Sequence, residues 1–456
     1  DNKFLIQTEF REKNKNSNHI IDVSQFVSNN ENSKGHLFYN FDKNFNNSTF
    51  DDVELNIKLE QVSDETFLKA NKIESPIINN LSNLTNSLKL KMYNKKVKID
   101  ANLDVYEDLT KKNDSDKFEY VPNFTFSKII NENYSFKSNG YYKNYSTNIT
   151  EKVLINDLEF NSNLKFFDNG FVNEKKFVVK NINSDAKNSE KFKNKNSNTL
   201  VPSFQTNYTY PLQKQNNQFY QTITPKFSLK LSIPHTKDVR KNNATINYDN
   251  IYNINRLGLD EVNEGGISAT YGYEYTKTDK LSLNQKLKFG FANNLRLNKN
   301  EDLEKNNQLG SKTSNFFSEI NYSPFNFLTT KYNFATKNNL SDINYQNFIA
   351  EIKFNKFVNT LDYLRQDGDK NSYFLNKTTF NFDEKNRLSF STRENLKKDL
   401  TEYYNLIYQY QNDCLAASIE YQKDYYSDRD IKPRESIFFK LTIIPFGETS
   451  SPNLKK

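Results

Sequence analysis

What the sequence lacks is informative before any motif is considered. It contains one cysteine, Cys414, and three histidines, His19, His36 and His235, from which we can assemble neither a metal-ligand spacing nor a set of nucleophile and base. We therefore expect no enzyme activity, no bound metal and no cofactor. No run of about 18 apolar residues occurs, which excludes a transmembrane helix. The chain begins at Asp1 without an initiator methionine or a signal peptide, and we expect it to be a fragment or a processed form.

Charge and hydropathy exclude two further classes of protein. The 63 Lys and Arg residues against 56 Asp and Glu give a net charge of +7, a bias too weak for a nucleic-acid-binding surface. The mean hydropathy of −0.87 is that of a disordered chain. However, 28 Tyr and 38 Phe residues argue against disorder, because disordered segments are poor in aromatic residues. A polar average combined with many aromatic residues is typical of strands that alternate between polar and apolar positions.

Alternation with a period of two is indeed the main pattern. In 52–61, for example, Val53, Leu55 and Leu59 fall on one face and Glu54 and Glu60 on the other. We count roughly two dozen such runs, each near the ten residues that a tilted strand needs to cross a bilayer. The clearest runs are 3–12, 19–27, 36–45, 52–61, 97–105, 118–130, 134–145, 158–167, 204–210, 227–234, 281–291, 348–354 and 437–443.

The remaining segments read as connections. The polar stretches 181–198, 236–250 and 298–312 are predicted to be loops, and 64–67 is predicted to enter a short helix or a loop. Only 11 Gly and 10 Pro are available for the turns, so Asn and Asp take many of them, as at Asp168 and Asn169. We find no domain boundary and no repeat of fixed period.

Two architectures can hold this many strands, a soluble protein of several sheets and a closed membrane barrel. Low Gly and Pro content disfavours the first, although the absence of Trp is unusual for the aromatic girdles of the second. We predict an all-β fold, a large antiparallel transmembrane β-barrel of about 22–26 strands. The barrel is expected to span residues 1–447, followed by a C-terminal tail at 448–456.

Three segments of the sequence resemble one family, the LptD barrels that assemble lipopolysaccharide in the outer membrane of Gram-negative bacteria. The first segment contains Asn255, Arg256, Gly258 and Asp260 (NRLGLD) and is one residue shorter than the pattern of the family. The second is VSDETFL at 62–68. The third is the C-terminal stretch from 412 to 439, which resembles the closing strands of the family.

The resemblance implies much that the residues alone do not. It implies transport of lipopolysaccharide and its insertion into the outer leaflet of the cell outer membrane through a barrel that opens laterally. The implied partners are lipopolysaccharide itself, an LptE-like lipoprotein that plugs the lumen, and a periplasmic bridge of the LptA type. That bridge would dock on an N-terminal jellyroll domain, which we expect to be missing from this chain.

The resemblance also assigns roles to single residues. Cys414 is either a free thiol or, as the family implies, the partner of a cysteine in the missing N-terminal domain. Asn255, Arg256, Gly258 and Asp260 form either an ordinary turn or an inward loop packed against the plug, and we favour a structural role for them. The lateral-gate strand would contain Ser436, Phe438, Lys440 and Pro445, of which Pro445 either ends the strand or weakens its ladder.

Two other functions remain open at this point. A general porin or a substrate-uptake barrel would share the strand pattern, but a porin usually ends on a terminal aromatic residue, whereas ten residues follow Phe446 here. A soluble, adhesin-like β protein would be recovered without detergent, which neither barrel reading allows. Charged side chains predicted to face the lumen, such as Lys288 and Glu351, either are merely solvated or guide the phosphates and sugars of lipopolysaccharide.

Overall fold

A computed structural model describes residues 3–28, 31–78, 80–111, 114–146, 148–189, 191–192, 194–240, 242, 244–366, 372–425, 434–443 and 447–450. The first strands are β1 (Lys3–Lys13), β2 (Ser17–Ser28), β3 (Glu31–Phe45), β4 (Asp52–Val62), β5 (Asn83–Tyr93), β6 (Val97–Asp108), β7 (Phe118–Ile129), β8 (Tyr134–Tyr145), β9 (Ile149–Asn161), β10 (Lys165–Phe166), β11 (Val172–Lys187), β12 (Ser197–Thr209) and β13 (Leu212–Gln215). The remaining strands are β14 (Phe219–Ser232), β15 (Gly266–Asp279), β16 (Gln285–Arg296), β17 (Phe316–Phe325), β18 (Leu328–Thr336), β19 (Ile343–Phe354), β20 (Phe357–Gln366), β21 (Tyr373–Asn381), β22 (Asn386–Asn395), β23 (Leu400–Gln411), β24 (Leu415–Asp424), β25 (Arg434–Ile443) and β26 (Gly447–Ser450).

In the described part of the chain, two short helices interrupt this series, α1 (Phe67–Ala70) and α2 (Asp114–Lys117). Within the described ranges, neither helix has the length or the apolar character to span a membrane. The helix α1 agrees with the prediction of a short helix or a loop after residue 64. Immediately before the helix, the carboxylate of Asp64 accepts a hydrogen bond from the backbone N–H of Thr66 at 3.0 Å.

In the described residues, the strands form a single antiparallel sheet of 26 strands, in which each long strand pairs with the next long strand along the chain. The short strands β10 and β13 do not interrupt this order. β10 pairs with β11, which also pairs directly with β9, and β13 pairs with β14, which also pairs directly with β12. This order confirms the predicted all-β fold and the predicted number of strands. The two ends of the sheet approach each other, since Cα atoms of β1 and β26 lie within 8 Å, although no ladder joins them in the described residues.

The middle of the sheet has the alternation that the sequence predicts. Tyr208, Phe227 and Tyr271 are paired across three neighbouring strands and are all exposed on the outer face. Their sequence neighbours Ser228 and Thr270 are buried on the inner face. Because an exposed apolar row of this kind is stable only against lipid, the outer face is the membrane-facing surface of a barrel.

The alternation reverses at the loop end of the sheet, and the prediction of a loop over 181–198 is wrong there. The strand β11 continues to Lys187, and Ile182 is buried on its inner face against Val153 and Ile155. On its outer face, the side-chain amide of Asn183 donates to Asn181, and that of Asn198 donates to Asn183 at 2.7 Å. These polar residues resemble a loop in sequence because the outer face is polar where the barrel leaves the bilayer.

The predicted strand over 281–291 begins too early. In the structure, Leu281 is 97% exposed in a turn, and β16 starts at Gln285. The carboxylate of Asp279 accepts the backbone N–H groups of Leu281 and Ser282 at 3.1 and 2.8 Å, which closes the turn. The predicted strand over 158–167 is likewise divided, because β9 ends at Asn161 and only Lys165 and Phe166 pair again.

Candidate functional site: the loops folded into the barrel

Two long connections turn inward from the same end of the sheet. The inner loop, residues 233–265, joins β14 to β15, and the second loop, residues 297–315, joins β16 to β17. Apolar side chains of both loops pack together and against inward-facing residues of β16, β17 and β18. The buried members of this lumenal core are Val239, Ile246, Tyr248, Ile251, Leu257, Val262, Ala292, Leu303, Leu309, Phe317 and Ala335. A part of the lumen that the sequence predicted to be wet is thus filled by an apolar core.

Arg256 of the NRLGLD segment is the most heavily bonded side chain of the inner loop, and it is 1% exposed. Its guanidinium grips the carboxylate of Glu264 in a bidentate pair, with Nε–Oε2 and Nη2–Oε1 distances of 2.7 and 2.6 Å. It also donates to Asn294 at 2.7 Å and to Ser268 at 3.0 Å. Arg256 therefore fastens the inner loop to the barrel wall at β15 and β16.

Glu264 is the centre of this ionic cluster. Besides Arg256, it receives Lys230 of β14, with an Nζ–Oε2 distance of 3.0 Å, and the guanidinium of Arg296 of β16. Burial by itself raises the pKa of Glu264, but Arg256, Lys230 and Arg296 outweigh burial and hold the pKa well below the usual range of a glutamate. Three cations thus surround a single buried carboxylate, and the negative charge of Glu264 compensates the burial of all three.

Asp260 fixes the tip of the inner loop on the opposite wall. Its carboxylate accepts the side-chain amide of Asn139 of β8 at 3.0 Å. Its backbone carbonyl accepts the ammonium of Lys180 of β11 at 2.9 Å. These two contacts join positions 121 and 80 residues apart, so the inner loop crosses the lumen from β14 to β8.

Asn255 and Gly258 shape the turn between these two anchors. The side-chain amide of Asn255 donates to the carbonyl of Leu259 at 3.4 Å, and Gly258 has a φ of 67°. The left-handed conformation at Gly258 favours glycine for its backbone alone, because a Cβ atom there would meet no heavy atom within 4 Å. The structure therefore places all four residues of the segment in one inward loop.

The other predicted site residues lie elsewhere. Cys414 is exposed in the turn between β23 and β24, and its backbone N–H donates to Asn412 at 3.0 Å. Ser436, Phe438 and Lys440 belong to β25, where their backbones pair with Gln422, Glu420 and Ser418 of β24. Pro445 lies outside the described residues.

The edges of the sheet are only partly covered. The described ladder of β1 is with β2, and β26 pairs only with the segment from Lys440 to Ile443 of β25. Although β1 and β26 approach each other within 8 Å, no ladder joins them in the part of the chain that the structure describes. At the seam between the first and the last strands, the described residues are therefore in contact but form no sheet pairing.

A polar cavity of about 360 Å³ lies beneath the inner loop, between it and the wall formed by β8, β9, β11 and β12. Lys137, Asp157, Glu159 and Lys180 line the wall, and Asn253, Ile254, Asn255 and Asp260 of the inner loop form the roof. Acidic and basic side chains alternate there at hydrogen-bonding distance from one another. The cavity can accordingly hold a ligand that offers both donors and acceptors.

The sequence alone did not reveal a buried serine, histidine and aspartate that meet on β2 and β3. The hydroxyl of Ser24 contacts Nδ1 of His36, and Nε2 of His36 lies 3.2 Å from Asp22. The signal was present in the hairpin register, which pairs Ser24 with His36. The side chains of Asp22 and His36 are fully buried, and the ring of Phe38 lies 4.2 Å from that of His36. A substrate has no access to them in this structure, so we interpret the set as a polar network within the wall.

Most of the chain is similar to one known protein family. Residues 32–382 match the family LptD, LPS transport system D. Among solved structures, the siderophore receptor PirA from Acinetobacter baumannii superposes with a TM-score of 0.33 at 7% identity, covering 97% of this chain and 73% of the receptor. No curated protein matches the sequence.

Proposed function

Because the chain belongs to the LptD family, whose members transport lipopolysaccharide, we propose that it inserts lipopolysaccharide into the outer leaflet of the outer membrane of a Gram-negative bacterium. The saccharide would pass along the lumen, and the acyl chains would leave sideways between the first and last strands. The family is one of transport proteins, so the barrel supplies a path and a gate while the driving energy comes from elsewhere.

The observation that carries the proposal is the seam between β1 and β26. Neighbouring long strands elsewhere in the sheet are joined by ladders of up to 14 paired residues, as between β14 and β15. Each backbone hydrogen bond of such a ladder contributes about 1 kcal/mol, and opening it in lipid costs more. A seam without pairing in the described residues would open at much lower cost, and Ser436 and Phe438 lie in the part of β25 whose backbone is not paired with β26 there.

The lengths of the connections support one orientation in the membrane. Short turns, such as 94–96 and 412–414, lie at one end of the sheet, and the long loops 63–82, 233–265 and 297–315 lie at the other. In outer-membrane barrels the short turns face the periplasm and the long loops face the exterior. The inner loop would then close the lumen from the outside, and Cys414 would be exposed to the periplasm.

That orientation also fits the proposed partners. A thiol at the periplasmic end is in reach of a cysteine in a periplasmic domain, and the compartment is oxidising. Such a bond would hold the domain that receives lipid from an LptA-like bridge beneath the barrel. An LptE-like lipoprotein would occupy lumen that the inner loops leave free.

Depletion of the protein tests the transport proposal. Cells that lose the full-length gene product should accumulate lipopolysaccharide inside and lose it from the surface, as measured by surface labelling of intact cells. Complementation with the wild-type gene should restore the surface signal. Unchanged surface lipopolysaccharide after depletion would contradict the proposal and leave a general porin or uptake barrel as the alternative.

The thiol provides a separate test of the proposed pairing. In the full-length product, a non-reducing gel should show a shifted band that the Cys414→Ser variant lacks, whereas reduced samples of both should migrate alike. Equal migration of the two proteins without reductant would show that Cys414 stays free.

A further inference from the structure

The polar cavity beneath the inner loop contains a carboxylate oxygen that has no partner. Asp157 of β9 uses Oδ2 to accept the ammonium of Lys180 at 2.8 Å. Its Oδ1 is buried and receives no hydrogen bond from any described residue. A buried carboxylate oxygen without a donor costs free energy, so a hydroxyl or another donor group belongs at this position.

Two lysines that line the same cavity offer cationic donors. Lys137 of β8 contacts Glu159 at 2.9 Å, and Lys176 of β11 contacts Glu174 at 3.3 Å. Each ammonium carries three N–H donors, more than these contacts use. Each lysine can therefore donate a hydrogen bond to an anionic group of a ligand while it keeps its present partner.

The chemistry of the lining selects the kind of ligand. An acyl chain in this cavity would leave Asp157, Glu159 and Lys180 desolvated without compensation, which is costly. A ligand rich in hydroxyl groups can instead donate to the carboxylates and accept from the lysines. The volume of about 360 Å³ is at the lower end for ligand pockets, which limits the ligand to one or two rings.

We propose that this cavity binds a saccharide ring that carries an anionic substituent such as a phosphate. A ring hydroxyl would donate to Oδ1 of Asp157, and the anionic group would lie between Lys137 and Lys176 under the roof formed by the inner loop. The proposal rests on the proposed function in one respect, since the ring would be the polar part of the transported lipid.

Binding to the purified full chain in detergent tests the proposal, with glucose 1-phosphate and glucose as probes. The phosphorylated sugar should bind more tightly than glucose. Lys137→Gln and Lys176→Gln should each weaken glucose 1-phosphate about fivefold, the upper end for an accessible ionic contact, and should leave glucose unchanged. Asp157→Asn should weaken both probes about tenfold, because it removes a charged acceptor.

Lys353→Gln is the matched control for the lysine variants. Lys353 of β19 also pairs with an acidic neighbour, Glu351 at 2.7 Å, and its side chain is about as exposed as that of Lys137 (60% against 55%), but it lies outside the cavity. It should leave the affinity for both probes unchanged. Glu159→Gln provides a second acidic variant if Asp157→Asn proves unable to fold, and it too should weaken both probes.

Several outcomes would overturn the assignment. Equal affinity of wild-type protein for the two probes would remove the anion-binding role of the lysines, and unchanged binding in both acidic variants would remove the carboxylates. Purified lipopolysaccharide should displace glucose 1-phosphate from the wild type. Failure to displace it would refute a site for the transported lipid even where surface labelling upholds transport, so the two proposals can fail separately.

Discussion

Replacing Glu264 by glutamine should detach the inner loop from the barrel wall. The substitution keeps the shape of the side chain but removes the one carboxylate that, among the described residues, directly contacts Arg256, Arg296 and Lys230. The three cations are nearly inaccessible to solvent, and each would lose its counter-ion at once. Breaking a buried ion pair from one side costs about 3–5 kcal/mol, because the remaining charge stays buried and unpaired.

This cost can be expressed as an opening equilibrium of the loop. Since 1.4 kcal/mol corresponds to a factor of ten, the open state of the loop should become about 150- to 5000-fold more populated. Hydrogen exchange can measure this change at two backbone amides. That of Asn263 donates to Thr236 at 2.8 Å, and that of Val239 donates to the carbonyl of Asp302 at 2.8 Å. The first bond joins the two ends of the inner loop and the second joins it to the second loop, so both amides report on how firmly the loop is held.

Lys230→Met is the informative comparison. It removes one of three cations around a single carboxylate and retains most of the volume of the side chain, so Glu264 stays paired with both arginines. We expect amide exchange within about fivefold of the wild type. Exchange in Glu264→Gln that stays within fivefold of the wild type would refute the reasoning. Equal loosening by both variants would refute it as well, because charge balance would then not be what holds the loop.

Three further predictions concern the same loop. Asp260→Ala and Asn139→Ala should each increase exchange at the loop tip about fivefold, as expected for one hydrogen bond of about 1 kcal/mol, and unequal effects would show that they are not partners. Gly258→Ala should destabilise the docked loop by about 1 kcal/mol through its φ of 67° alone, and Gly258→Asn by less; a loss of folding would contradict the open space at this position. Because the folded-state pKa of Glu264 lies below its unfolded value, its contribution is complete above about pH 4.5 and is lost as the pH falls further. The melting temperature of the wild type should therefore fall more steeply than that of Glu264→Gln below that pH, and parallel curves would refute the assignment.

The outer face of the barrel could be predicted from the sequence because lipid imposes one simple rule. Every outward position in the bilayer must be apolar, so rows such as Tyr208, Phe227 and Tyr271 appear as a period of two in each strand. The rule ends where the bilayer ends. At the loop end, Asn181 and Asn183 face outward and Ile182 faces inward, and the same period was misread as a loop.

The inner loop could not be predicted in the same way. Arg256 contacts Asn294, 38 residues away, and Asp260 contacts Asn139, 121 residues away, so these contacts depend on the curvature of the whole sheet. One local signal was available in the pair Gly265 and Gly266. A Cβ atom at Gly265 would lie 2.2 Å from the backbone nitrogen of His235, so the two ends of the inner loop can meet only if this residue is glycine.

The arrangement of these parts favours a lateral exit over an axial one, if the barrel transports lipid as proposed. The lumenal core and the ionic cluster of Glu264 close the loop end of the barrel beside β14 to β18, and Asp260 extends that closure to β8. Acyl chains would have to displace this folded core, or cross a wall of charged side chains such as Lys137 and Glu159, to leave along the barrel axis. The contact between β1 and β26 lies outside both this core and this cavity, and no ladder joins the two strands in the described residues. The saccharide has the opposite preference, because the polar lumen solvates it and the bilayer does not. A seam between two strands therefore lets the saccharide stay in the lumen while the acyl chains enter the bilayer.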